Sequence, residues 1–235
     1  MIFQWTLMIM TMKRFVLALF VALLFQFAYA QEAALEENKD IVETKIGANL
    51  NFLLGKKKNM MLSTMLRSVH NNSMKGETFL NFKGIEAEVY FQIPVMKYLG
   101  FFIDAEADVN KELDSYLCFS TGFNSTYNIG RFFVFGELKY STCRNITYFN
   151  HDSNPHLKYK AGAGVNIVED LCAFSSQVIL PHDLSSNSID NTEIWAKLDF
   201  KLSRSIGLMV AYAWTDEFGD SRNVHSPRVN LSYSF

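Results

Sequence analysis

The stretch Ser226-Pro227-Arg228-Val229-Asn230-Leu231-Ser232-Tyr233-Ser234-Phe235 alternates polar and apolar residues from Pro227 onward and stops on an aromatic. Successive side chains of a strand point to opposite faces, so this is a strand with one oily face and one polar face. A strand of that kind crosses a membrane only within a closed sheet, because hydrocarbon offers backbone N–H and C=O groups no partner. The pattern predicts a transmembrane β-barrel.

The other end of the chain agrees. Lys13-Arg14 precede an apolar run over 15–27, and Ala28-Tyr29-Ala30 stand before Gln31. A charged segment, an apolar core and small residues at the cut define a secretory signal peptide. The signal is assigned to 1–30, with Met10 or Met12 as a possible true start, a periplasmic segment to 31–41 and the barrel to 42–235. Removing Lys13 and Arg14 from the 22 basic residues leaves 20 against 24 acidic ones, a formal net charge of −4. That balance gives no reason to propose nucleic acid as a partner. Beyond the signal no apolar run approaches the roughly 18 residues of a spanning helix, so a membrane form must be built of strands.

Ten segments carry a period of two: 42–54, 79–93, 99–109, 113–125, 131–143, 157–167, 171–180, 194–202, 206–214 and 229–235. In the first, Ile46, Ala48, Leu50, Phe52 and Leu54 oppose Glu43, Lys45, Asn49 and Asn51. In the third, Phe101, Ile103, Ala105 and Ala107 oppose Asp104, Glu106 and Asp108. All four prolines, Pro94, Pro155, Pro181 and Pro227, fall at segment edges, where a missing ladder donor costs least. The expected fold is all-β: an up-and-down antiparallel barrel of ten strands, eight if the seventh segment and a neighbour are loop. An even count would put both termini in the periplasm. Cys118 and Cys143 fall on adjacent segments but several residues out of register, so these and Cys172 are expected as small buried thiols.

With the charged face turned inward, Glu86, Glu88, Asp104, Glu106 and Asp108 stand on one wall. Lys158, Lys160, Lys197, Lys201 and Arg228 stand on the other. Charges enclosed in a narrow interior must pair or stay hydrated. Two arrangements satisfy this: a salt-bridged plug, or a narrow ion path. The connection 55–77 is expected to be the longest loop. It is basic, with Lys56, Lys57, Lys58, Arg67 and Lys75, and Leu62, Met65, Leu66 and Val69 follow helical spacing. A short amphipathic helix there would meet outer-leaflet lipid, lipopolysaccharide or a host polyanion.

Catalysis in a barrel needs converging acids and imidazole at the outer rim. His151-Asp152, His182-Asp183 and Asp216, Glu217 and Asp220 with His225 are the available groups. No spacing selects one set, so an omptin-like protease is a distant reading. No cofactor or metal motif is present.

The signal, the alternating strands, the rhythm of short turns and longer loops, and Phe235 together resemble small bacterial outer-membrane barrels of the OmpA, OmpX, OmpW and opacity-protein type. The resemblance covers nearly all of 42–235 and rests on architecture. It implies residence in the outer membrane, with Val229, Leu231, Tyr233 and Phe235 as the signal read by the barrel-assembly machinery. It also implies adhesion or envelope structure through the loops, or narrow solute transport.

Overall fold

The computed structural model describes residues 41–55, 59–71, 81–111, 115–146, 154–217 and 223–235. The chain divides into residues 1–40 and 41–235. The signal peptide at 1–30 and most of the segment after it lie outside the described residues.

Every described element is a strand: β1 (Ile41–Leu54), β2 (Met60–Asn71), β3 (Asn81–Met96), β4 (Leu99–Asn110), β5 (Ser115–Ile129), β6 (Phe132–Asn145), β7 (Asn154–Val168), β8 (Cys172–Asp183), the two-residue β9 (Ser188–Ile189), β10 (Asn191–Lys201), β11 (Ile206–Glu217) and β12 (Asn223–Ser234). Each pairs with the next in sequence, β8 pairs with β10 past the short β9, and β12 pairs with β1. Eleven of the strands close into a barrel, so each has a ladder partner on both sides; the short β9 pairs with β8 alone.

The predicted barrel is present, and the seventh segment is a full strand, β8. The count is eleven rather than ten because 60–71, expected as a loop with a helical turn, is the transmembrane-length strand β2. Its register against β1 runs without a break from Glu43↔Asn71 to Leu54↔Met60. Eleven strands cannot alternate direction all the way round a ring, so one neighbouring pair must be parallel. That pair is β1 and β12, from Ile41↔Val224 to Asn51↔Ser234. The extra strand also separates the ends of the barrel. Phe235 lies at the end that carries the tight connections, where its amide donates to the Asn51 carbonyl at 2.9 Å and its ring stacks on Phe52. Ile41 begins at the opposite end, beside Val224. Both ends of the barrel domain were expected on one side; the structure separates them.

Cys118 and Cys143 are the other correction. They are register partners and form a disulfide across β5 and β6, with Cα atoms 4.0 Å apart. The expected loop of five residues between these strands is a two-residue turn at Gly130-Arg131, with Gly130 at φ 62°. Shortening the turn extends both strands and slides the two cysteines into line. Cys172 is a free thiol. A bridge between adjacent strands fits a chain that matures in an oxidising compartment. Thiol titration of the unfolded, unreduced protein should find one thiol per chain and three after reduction; three before reduction would remove the bridge.

The faces of the sheet are inverted relative to a water-soluble barrel. Leu66 is 59% exposed and Phe119 56%, and Ile46, Val89, Ile103, Phe123, Val134, Leu138, Val178 and Leu231 also face outward in the open. Exposed apolar surface of this extent has no place on a soluble monomer. Inside, among the described residues, the largest fully buried side chains are Phe102 and Val42. No thick oily core holds this sheet together; its closed hydrogen-bond ladder and a polar interior do.

Candidate functional site

The interior encloses a cavity of about 860 Å³ to which each of the eleven barrel strands contributes at least one residue. Its walls carry seven carboxylates (Glu86, Glu88, Asp104, Glu106, Asp108, Glu137, Glu193) and seven cations (Lys45, Arg67, Lys139, Lys158, Lys160, Lys197, Arg228). Among the described lining residues these charges balance, so any selection must come from where they stand. Nine of the ten lumen residues expected from the sequence line this cavity. Lys201 instead lines a smaller cavity of about 540 Å³ at the tight-turn end, with Asp199, Arg204 and Ser232. Met209 lies in the wall of both cavities.

The ion pairs join strands that lie close together, not opposite walls. Lys139 Nζ on β6 reaches Asp104 Oδ2 on β4 at 2.5 Å and Glu106 Oε1 at 2.6 Å. It can cross β5 because β5 presents only Cys118, Ser120 and Gly122 beneath it: Ser120 is the register partner of Asp104, and Gly122 that of Lys139. A Cβ at Gly122 would come within 2.1 Å of the Leu138 carbonyl oxygen and 2.8 Å of Phe102 Cζ, so no larger residue fits there.

Two other long side chains also reach past a neighbouring strand. Lys45 on β1 reaches over β2 to Glu86 Oε1 on β3 at 2.6 Å, and Arg67 on β2 takes Glu86 Oε2 at 2.9 Å. Arg228 on β12 crosses the buried Ala211 and Ala213 of β11 to lie over the Trp195 ring of β10 at 3.9 Å. Strands two apart sit within about 10 Å, the reach of a long side chain, whereas the far wall lies across the open cavity.

The expected partners across the lumen are therefore replaced by nearer ones, and cations and carboxylates share the same walls. The carboxylates of β3 and β4 are met by Lys45, Arg67 and Lys139. Lys160 pairs with Glu137 at 3.2 Å, Lys197 with Asp199 at 3.1 Å, and Arg228 has its ring and Ser226. Carboxylate oxygens of Glu88, Asp104 and Glu106 fall within 4.8 Å of one another, and the Lys139 ammonium is their resident counter-ion. Buried oxygens of Asp104, Ser120, Ser141 and Asn230 have no protein partner, the condition under which a polar cavity holds water.

Toward the tight-turn end the interior carries aromatic and amide groups. Tyr90 stacks on Phe102, donates to Gln92 Oε1 at 2.9 Å and accepts from Asn124 Nδ2 at 2.7 Å, while Gln92 Nε2 donates to Asn124 Oδ1 at 3.2 Å. The rings of Phe133 and Phe135 fill the space left by Gly164 and Gly162, where a Cβ would meet each ring at 2.3 Å.

Part of the expected surface-contact segment is placed elsewhere. Arg67 points into the lumen to Glu86, and Leu62 to Val69 belong to β2 rather than to a helix. Lys56, Lys57, Lys58 and Lys75 lie outside the described residues. Of the terminal row, Leu231, Tyr233 and Phe235 are exposed on the outer face, and Val229 pairs with Ile46 and Val210. The rim groups also regroup. His182 and Asp183 are adjacent on one strand and so face opposite ways: His182 meets Asn187, while Asp183 stands opposite His156. His225 is bonded to Tyr212. His151, Asp152 and Asp220 lie outside the described residues.

The class these observations define is a closed β-barrel with an apolar exterior and an ion-paired, partly hollow interior. No protein-family model matches the chain, and no curated protein matches it. A solved structure described as a bacterial polysaccharide outer membrane secretin is similar over 72% of each chain, at 10% identity and a TM-score of 0.44. A likeness that slight assigns no family.

Proposed function

We propose that this protein is an integral barrel of the bacterial outer membrane whose lumen is a narrow passage for small ions or polar solutes. The carrying observation is the cavity of about 860 Å³ walled by eleven strands and meeting the tight-turn cavity at Met209. An interior that served only to brace the wall would be filled by its side chains, as in the smallest barrels. The apolar exterior supports the membrane setting, as does the signal pattern read in the sequence at 1–30. Its partners there are outer-membrane lipid and the assembly machinery, for which 229–235 is the recognition strand, and no catalysis is assigned. Of the basic outer loop, Arg67 serves the lumen and β2 replaces the helix, while Lys56, Lys57, Lys58 and Lys75 lie outside the described residues.

Met209 is the residue common to the linings of the two cavities, so single-channel recording in planar bilayers decides the matter. The wild-type barrel should give small, steady openings. Met209→Ala should raise the unit conductance several-fold and Met209→Trp should abolish it. Silence from the wild type and the alanine variant alike would reject the passage.

A further inference from the structure

At the end of the barrel away from the tight turns, three side chains from separate segments converge above the charged cavity. The register of β7 and β8 sets His156 opposite Asp183. The β8–β9 hairpin then folds the chain back: Ile189 pairs with His182, and the Asp190 amide donates to the Pro181 carbonyl at 3.1 Å. This return places Asp190 Oδ2 3.2 Å from His156 Nε2. One ligand atom from each of His156, Asp183 and Asp190 lies within 4.8 Å of the others, and all three residues are half-buried.

We propose that His156, Asp183 and Asp190 form a binding site for a divalent transition-metal ion of the zinc type at the mouth of the barrel. One imidazole and two carboxylates are a mixed N/O set that suits such an ion better than calcium or magnesium, which take oxygen alone. Bonds of about 2.1 Å in a tetrahedral arrangement put ligand atoms about 3.4 Å apart. His156 and Asp190 already stand near that spacing at 3.2 Å, and the Asp183 ligand atom lies within 4.8 Å of both.

Asp183 is held for the purpose. Its Oδ1 accepts the amides of Ser185 at 2.6 Å and Ser186 at 3.3 Å, which orients the carboxylate at the turn and leaves Oδ2 as the other oxygen. Three protein ligands leave a fourth position for water or an incoming group. The ion would staple β7, β8 and the segment entering β10, the part of the rim where the hairpin ladder is shortest. The carboxylate trio deeper in the lumen differs in kind, because the Lys139 ammonium already occupies it. This site stands whether or not the lumen conducts.

The test is calorimetric titration of Zn²⁺ into the full chain, purified in detergent without a polyhistidine tag, with Co²⁺ as a visible-absorption probe of the ligand field. One Zn²⁺ per chain should bind saturably, and Co²⁺ should bind at the same site with enhanced d–d absorption. His156→Ala and Asp190→Asn should each weaken binding by about tenfold or more. His182→Ala, whose ring meets Asn187 instead, should leave it unchanged. Folding of each variant is read independently from heat-dependent gel mobility, and Asp190→Asn preserves volume should His156→Ala fail to fold. Absence of saturable binding, or binding that survives both ligand substitutions, overturns the site.

Discussion

Replacing Lys139 with methionine should lower the stability of the folded barrel by about 3–5 kcal/mol, read from denaturant unfolding in lipid vesicles. Lys139 is 8% exposed and Asp104 6%, and the single ammonium is within 2.6 Å of two carboxylates. Methionine keeps most of the packing over β5 and removes only the charge. What remains is Asp104 and Glu106 beside Glu88, three carboxylates within 4.8 Å with no cation among them. Breaking a buried pair is costly because the abandoned charge keeps its desolvation penalty. Glu106 is open enough to the cavity to be rehydrated, which favours the lower end of that range; Asp104 is not. The triple variant Lys139→Met, Asp104→Asn, Glu106→Gln should recover most of the loss, since neutral groups of the same shape need no counter-ion. A single substitution with little effect would mean that these carboxylates are not held by Lys139, and the account of the wall would fail with it.

The features legible in the sequence were those with a period of two. Strands such as β4, with Phe101, Ile103 and Ala105 against Asp104, Glu106 and Asp108, declare both faces at once, and so the lumen acids could be named in advance. β2 did not, for a physical reason. Its inward row is Met61, Ser63, Met65, Arg67 and Val69, and its outward row is Leu62, Thr64, Leu66 and Ser68, so apolar residues stand on both faces and the remaining pattern imitates a helix turn. The disulfide was hidden by one misjudged turn: register in a hairpin is set by turn length, and the two-residue connection at Gly130-Arg131 moves every β5–β6 pair. The partners of Lys139 and Arg228 depend on which strand carries small residues between two others, a property of the assembled ring. The His156, Asp183 and Asp190 cluster likewise joins residues that only the β7–β8 register and the β8–β9 return bring together.

The strand that the sequence concealed gives the sharpest remaining test. Leu66 sits midway along β2 with its side chain outward and 59% exposed, so Leu66→Arg should cost about 2–4 kcal/mol, whereas Leu54→Arg at the end of β1 should cost about 0–1 kcal/mol. The difference arises because a guanidinium at mid-depth cannot reach headgroups or water, while one at a strand end can. A neutral Leu66→Arg would return 60–71 to a surface loop. The barrel would then have ten strands, β12 could no longer run parallel to β1, and Ile41 would move to the end that holds Arg204. Vectorial labelling separates the two outcomes without any energetics. In a Cys172→Ser background with the Cys118–Cys143 bridge intact, an impermeant maleimide should modify a cysteine at Ile41 from the same face of the membrane as one at Leu184, and from the face opposite to one at Arg204. The odd number of strands requires that result, because each crossing reverses the chain and eleven crossings leave its two ends on different sides.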